Sequence, residues 1–176
     1  MITIAIDAST KSTGIAVFVD KELKYYDNYL DNNKDTLKRI EFMTQSIEEL
    51  YLDYEYLNCE EQNIQVIMEQ VIPDNLNDAK WTRNQATFKA LFYLQAAIVF
   101  MFHHYDIEVE LVGASTWRKW CGIKQGGANR ETLKFRDKEF VEKNYKLEVN
   151  DDIADAICIG HGKIHHEPEP TAFDWT

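Results

Sequence analysis

The chain has 176 residues, 45% of them hydrophobic, and a formal net charge of −11. That length and apolar content fit one globular domain with a proper core and exclude a largely disordered chain. The charge excludes a protein coated in positive potential, yet residues 113–130 carry Arg118, Lys119, Lys124 and Arg130 with no acid, a window of +4 that leaves −15 elsewhere. A polyanionic substrate therefore stays open. The N-terminus runs Met1-Ile-Thr-Ile-Ala-Ile-Asp7 without a basic region or cleavage site, and no apolar run near 20 residues is read, so a cytoplasmic protein with no membrane partner is expected. Cys59, Cys121 and Cys158 are odd in number and widely spaced, as reduced thiols would be, and take no role.

Residues 2–6 alternate as a strand ending at Asp7. Residues 8–14, Ala-Ser-Thr-Lys-Ser-Thr-Gly, read as a polar turn, followed by strands over 15–20 and 23–30 that meet at a tight turn near Asp20 and Lys21. The apolar spacing of Leu37, Ile40, Met43, Ile47, Leu50, Tyr51, Tyr54 and Leu57 predicts a helix over 34–57 with a solvated acidic outer face. A β-branched run over 64–68 stops at Glu69, and the long helix before it makes it a crossover strand parallel to the first. Residues 73–80 form a loop. The helix over 81–102 is apolar nearly all round, so it is either deeply buried or half of a subunit interface. A strand over 107–112, a helical turn over 116–120, a basic loop over 122–128 and a helix over 129–145 capped by Asn129 follow. One domain spans 1–166, and 167–176 is a loose tail.

The last helix holds the sharpest signal. Asp151, Asp152 and Asp155 crowd the start of an apolar segment, and Asn150 capping plus the helix dipole accounts for one or two of them but not for Asp155, a full turn in. Asp152 and Asp155, or Asp151 and Asp155, share one helix face. If the strands ending at Asp7 and Glu69 are central neighbours and this helix crosses their edge, four carboxylates converge. Such a group repels itself unless hard divalent cations bind, and two Mg²⁺ or Mn²⁺ ions so held suit phosphodiester hydrolysis. His161 and His165, four apart, lack the Glu of a zinc-protease pattern and read as exposed surface. Trp117 and Trp120 read as core anchors.

Ile4-Ala-Ile-Asp7-Ala-Ser-Thr-Lys-Ser-Thr-Gly14, Val66-Ile-Met-Glu69-Gln-Val and Asp152-Ile-Ala-Asp155-Ala resemble the motifs of the RuvC-type Holliday junction resolvases, of the RNase H-like (retroviral integrase) superfamily. The resemblance covers residues 1–160. It implies an α/β RNase H-like fold, a five-stranded mixed sheet of three antiparallel plus two parallel strands flanked by helices. It implies a catalytic and metal-binding quartet of Asp7, Glu69, Asp152 and Asp155, with Asp151 in reserve and two Mg²⁺ per site for which Mn²⁺ substitutes. The segments Ser115-Thr-Trp-Arg-Lys119 and Gly126-Gly-Ala-Asn-Arg130 are similar to the family's basic stretch, which implies that Lys119 (or Arg118) and Arg130 hold DNA phosphates, and the basic window as a whole puts Arg118, Lys119, Lys124 and Arg130 among the expected phosphate contacts. The resemblance further implies a homodimer through the helix around Arg83-Asn84-Gln85, four-way junctions as substrate, and a phage or bacterial origin. Where the family commonly places an aromatic after the strand-end Glu, this chain has Val71, Ile72 and Pro73. Two other readings stand beside this one: an inactive relative that binds branched nucleic acid, and an actin- or sugar-kinase-like ATPase domain, whose phosphate loop residues 7–14 also resemble.

Overall fold

All five residues before Asp7 are buried, whichever face of the strand they point to, and only a central strand of a sheet covered on both sides permits that. The computed structural model describes residues 1–57, 63–71 and 81–166, without the side chains of 81–84. The expected loop over 73–80, the tail over 167–176, Cys59, Ile72 and Pro73 lie outside the described residues.

Strand β1 (Ile2–Asp7) pairs antiparallel with β2 (Ser12–Val19), which pairs antiparallel with β3 (Glu22–Leu30). The hairpin between them turns at Asp20 and Lys21, with φ of 48° and 71°, the left-handed pair a two-residue type I′ turn requires. Helix α1 (Thr36–Leu57) leads to β4 (Ile64–Glu69), parallel to β1. Helix α2 (Trp81–His104) leads to β5 (Val109–Val112), parallel to β4. Three helices close the chain: α3 (Ala114–Trp120), α4 (Arg130–Tyr145) and α5 (Asp151–His165). The sheet order is β3-β2-β1-β4-β5, three antiparallel and two parallel strands as expected.

Each sheet face carries its own core. Ile4, Ile6, Ile15 and Val17 meet Met43 and Ile47 of α1 and Leu94, Ile98 and Phe102 of α2. Ala5, Ala16, Phe18 and Ile67 meet Trp117, Val141, Ile157 and Cys158 from α3, α4 and α5.

One expectation about the elements needs correction: residues 12–14 belong to β2 rather than to a turn, since Gly14 pairs with Asp7 across the ladder. Of the two readings of helix α2, deep burial does not hold for every face. Ala90, Leu94, Ile98 and Phe102 are buried, whereas Tyr93 and Phe100 are 60% and 74% exposed. Its segment Gln85–His104, 20 residues, is long and apolar enough to cross a membrane by length and composition, against the expectation of no apolar run near that length. One face of that segment is nevertheless part of the protein core.

Glycine 14 decides where α5 lies. A Cβ there would stand 2.0 Å from the backbone oxygen of Asp152, so only glycine lets the helix start settle on β2. A Cβ at Gly160, toward the other end of α5, would fall 2.3 Å from the ring of buried Phe18. The clash at Gly14 is with backbone and no side-chain rotation relieves it. Gly14→Ala is therefore expected to destabilise the protein by about 3 kcal/mol, the upper end of overpacking effects. Urea-unfolding midpoints measure this, and a wild-type midpoint would show that α5 moves off the sheet freely.

Candidate active site

The sheet itself brings the first two acids together. Ile6 and Met68 are partners in the parallel β1/β4 ladder, so Asp7 and Glu69 are the next residue of each strand and leave the same sheet edge. Helix α5 crosses that edge at its N-terminal turn, where the Asn150 side chain caps it by accepting from the Ile153 N–H at 2.9 Å. Asp152 lies in the first turn, and Asp155 follows one turn later, 6% exposed.

The electrostatics report the same convergence. Burial, then the charges of Glu69 and Asp152, push Asp7 up to about 8. Burial, then Asp7 and Asp137, push Asp155 up to about 9. Burial also raises Glu69, against the pull of the Trp117 N–H and of Arg118. Carboxyls so raised are short of positive charge. The Oδ1 atom of Asp155 is buried with no hydrogen-bond partner among the described residues. As the side chains stand, no group of three or more His, Cys, Asp or Glu among the described residues is arranged to hold a metal ion. The donor set nonetheless fits one in kind: all-oxygen, anionic ligands match Mg²⁺ or Mn²⁺, and the orphaned Asp155 oxygen lacks what a cation provides.

Asp152 and Asp151 are distinguished by their partners. The Ser12 hydroxyl donates to Asp152 Oδ2 and also contacts Asn28 Oδ1 at 3.1 Å, and Asp152 acts on Asp7. Asp151 instead pairs with Lys138 at 2.9 Å and Lys134 at 3.3 Å. The hydrogen bond from Lys138, then the charge of Lys134, hold its carboxyl below the usual range despite partial burial.

The basic residues divide. Lys119, Lys124 and Arg130 are exposed. Arg118 is not: it is 8% exposed, gives two nitrogens to fully buried Asp137 at 2.8–3.1 Å, and lies 4.0 Å from Asp155. Its expected place on a DNA phosphate does not suit a guanidinium turned inward. A groove of about 610 Å³ along α4, lined by Lys124, Arg136, Lys143 and Lys146 but also by Glu139 and Glu142, contains none of the four edge acids.

Three residues escaped the sequence reading, and two others carry more than it assigned them. Lys134 lies within electrostatic reach of Asp7, Glu69 and Asp155, and its one available sign was its position four residues after Arg130. Asp137 and Ser12 had no sign, because their partners are distant in sequence. Trp117 is the core anchor expected, and its Nε1–H also donates to Glu69 Oε2 at 2.8 Å. His161 differs too: it is half-buried, with Nδ1 2.6 Å from the Tyr145 hydroxyl and its ring against Phe140. Burial, then neighbouring His165, lower it to about 4.

The sheet order, crossing helix and acid-bearing edge define an RNase H-like fold. No family model matches the sequence, and no curated protein sequence does. Among solved structures the chain is similar to RuvC of Thermus thermophilus in complex with Holliday junction substrate, at TM-score 0.65 and 12% identity over 94% of this chain and 93% of that one. It is likewise similar to another structure of Thermus thermophilus RuvC (0.64, 14% identity, 94% of each chain). The yeast mitochondrial Holliday junction resolvase matches at 0.50 and 13% identity, over 93% of this chain and 77% of that one.

The raised carboxyls fix the sign of a pH effect. Unfolded, Asp7 and Asp155 titrate at the ordinary aspartate value of 3.8; folded, they are pushed up to about 8 and about 9. The metal-free fold therefore binds more protons than the unfolded chain between those limits, so its stability falls as pH rises from about 4 to about 9. Thermal melts in EDTA are expected to show this decline, and saturating Mn²⁺ to flatten it. A melt in EDTA that improves toward pH 9 would contradict the placement of these acids.

Proposed function

We propose that the protein is a metal-dependent endonuclease that cleaves branched DNA, most naturally a four-way junction nicked on symmetric strands. The observation that carries this reading is the meeting of Asp7, Glu69, Asp152 and Asp155 at one sheet edge, with a buried Asp155 oxygen left without a partner. The likeness to RuvC bound to a Holliday junction supports the substrate class.

In this reading the four acids hold the divalent cations, with Asp151 kept out of the site by Lys134 and Lys138. When bound, two such cations supply the Lewis acidity that activates the attacking water and stabilises the leaving oxygen. Ser12 orients Asp152 from the sheet side. Exposed Lys119, Lys124 and Arg130 meet the phosphates flanking the scissile one, and Lys134 adds positive charge within reach of the acids. No side-chain nucleophile is required. The exposed side of α2, with Phe92, Tyr93 and Phe100, is the contact of a homodimer, which would set two sites against the two strands to be cut.

A panel of four-way junction, three-way junction, flap, linear duplex and RNA–DNA hybrid with Mg²⁺ tests the substrate class, and an ATP-turnover control tests the kinase-like reading. Asp7→Asn is expected to lower junction cleavage by about 10³-fold, the order seen when a group stabilising the transition state is removed, with binding retained. Undiminished cleavage by this variant overturns the assignment. Arg130→Ala is expected to weaken junction binding and reduce the slope of log K against log salt by about 0.9, one phosphate contact. An unchanged slope would remove Arg130 from the DNA surface.

A further inference from the structure

Buried tryptophans need a partner for the indole N–H, and a backbone carbonyl nearby usually serves. Trp117 is fully buried, but its Nε1–H is given to Oε2 of Glu69 at 2.8 Å, a carboxylate at the acid-bearing edge. The bond spans from α3 to the end of β4. No donor among the described residues claims the other oxygen, Oε1.

The indole is itself fixed in place. The guanidinium carbon of Arg118 lies 4.1 Å from the centre of the Trp117 ring, and Arg118 is held by three hydrogen bonds to Asp137 of α4, which is fully buried. Asp137, Arg118, Trp117 and Glu69 thus form a continuous series from α4 through α3 to β4, and every link before Glu69 is buried. A glutamate carboxylate otherwise turns readily about its last torsion, which is broad and roughly two-fold. Here one oxygen is tied to a group that cannot move.

We infer that Trp117 is a positioning residue for Glu69: its N–H claims Oε2 and so presents Oε1 to a divalent cation. This rests on the metal-binding reading of the four acids. Trp117 does not touch the metal or the substrate; it acts by limiting how Glu69 meets the ion. Removing a group that orients a metal ligand weakens binding of the metal by about 10-fold to 100-fold. Junction binding in the absence of metal should not change, since the Trp117 side chain is buried while Lys119, Lys124 and Arg130 are exposed.

Two replacements separate the hydrogen bond from the packing. Trp117→Phe removes the N–H and part of the ring, and benzothienylalanine at position 117 keeps the bicyclic shape with sulfur in place of N–H. Mn²⁺ is titrated calorimetrically into each protein, alongside metal-free melting curves and four-way junction binding in EDTA. The expected result is Mn²⁺ affinity about 10-fold weaker with benzothienylalanine, with junction affinity in EDTA as in wild type. The Mn²⁺ concentration for half-maximal cleavage should rise in parallel, and the rate at saturating Mn²⁺ should largely recover. Wild-type Mn²⁺ affinity in the folded benzothienylalanine protein overturns the role of Trp117, even if Trp117→Phe fails to fold. A wild-type protein that neither binds Mn²⁺ nor cleaves the junction overturns the metal reading beneath it.

Discussion

The backbone of α5 lies almost against β2, and the architecture of the acid-bearing edge depends on that approach. Two strands can deliver Asp7 and Glu69 to one edge by register alone. A helix delivers side chains there only if its first turn reaches down to the sheet. Alanines at positions 5 and 16, both fully buried, keep the sheet surface low beneath α5, and Gly14 removes the last Cβ in the way. Gly160 repeats the device near the other end, against Phe18. Because the helix is pinned at both ends, Asp152 and Asp155 have little freedom of position. Close packing here sets the geometry of charge.

That geometry concentrates negative charge where water is scarce, and the described residues do not supply an equal positive charge. Arg118 looks like a counter-ion at 4.0 Å from Asp155, but its hydrogen bonds go to Asp137. A buried arginine and a buried aspartate together are nearly neutral, and such a pair adds little net stabilisation while being costly to break. It serves better as a rigid floor. The acids above it remain undercompensated, which is why burial and mutual repulsion raise Asp7 and Asp155 so far. Protons relieve this at low pH, and a divalent cation bound among the acids would relieve it at neutral pH, so that stability and ligand binding would draw on the same interaction.

The sheet was readable from the sequence because its signals are local. Strands ending in Asp7 and Glu69, a hairpin at Asp20 and Lys21, and a crossover helix between them determine the β2-β1-β4 neighbourhood before any coordinates. The error at residues 12–14 has a physical source. Ser-Thr-Gly is turn chemistry by composition, yet Ser12 and Thr13 hydrogen-bond to Asp152 and Ser9, while Gly14 is there for the helix above. Arg118 was misplaced for a related reason: its partner Asp137 is 19 residues away on α4, and nothing in a basic window distinguishes an arginine facing in from one facing out. Trp117 was rightly read as core, but the direction of one N–H cannot be inferred from hydrophobicity. Pairwise polar contacts between distant elements were the hidden part of the site.

The inward turn of Arg118 changes how an acidic protein can meet a polyanion. With that charge directed to Asp137, Lys119, Lys124 and Arg130 at the surface, and Lys134 within electrostatic reach of the acids, would be the cations to meet a phosphate backbone under the proposed function. Lys134 is also shared with Asp151, and Lys138 with it. Asp151 therefore acts against the site's own negative charge in an indirect way: it holds two lysines of α4 at the start of α5, next to the acids and not out in solvent. The two lysines hold its carboxyl below the usual range. An aspartate that looks like a spare metal ligand in the sequence is better understood as the anchor for the basic side of the site, and the adjacent Asp152, held by Ser12, is left to face Asp7.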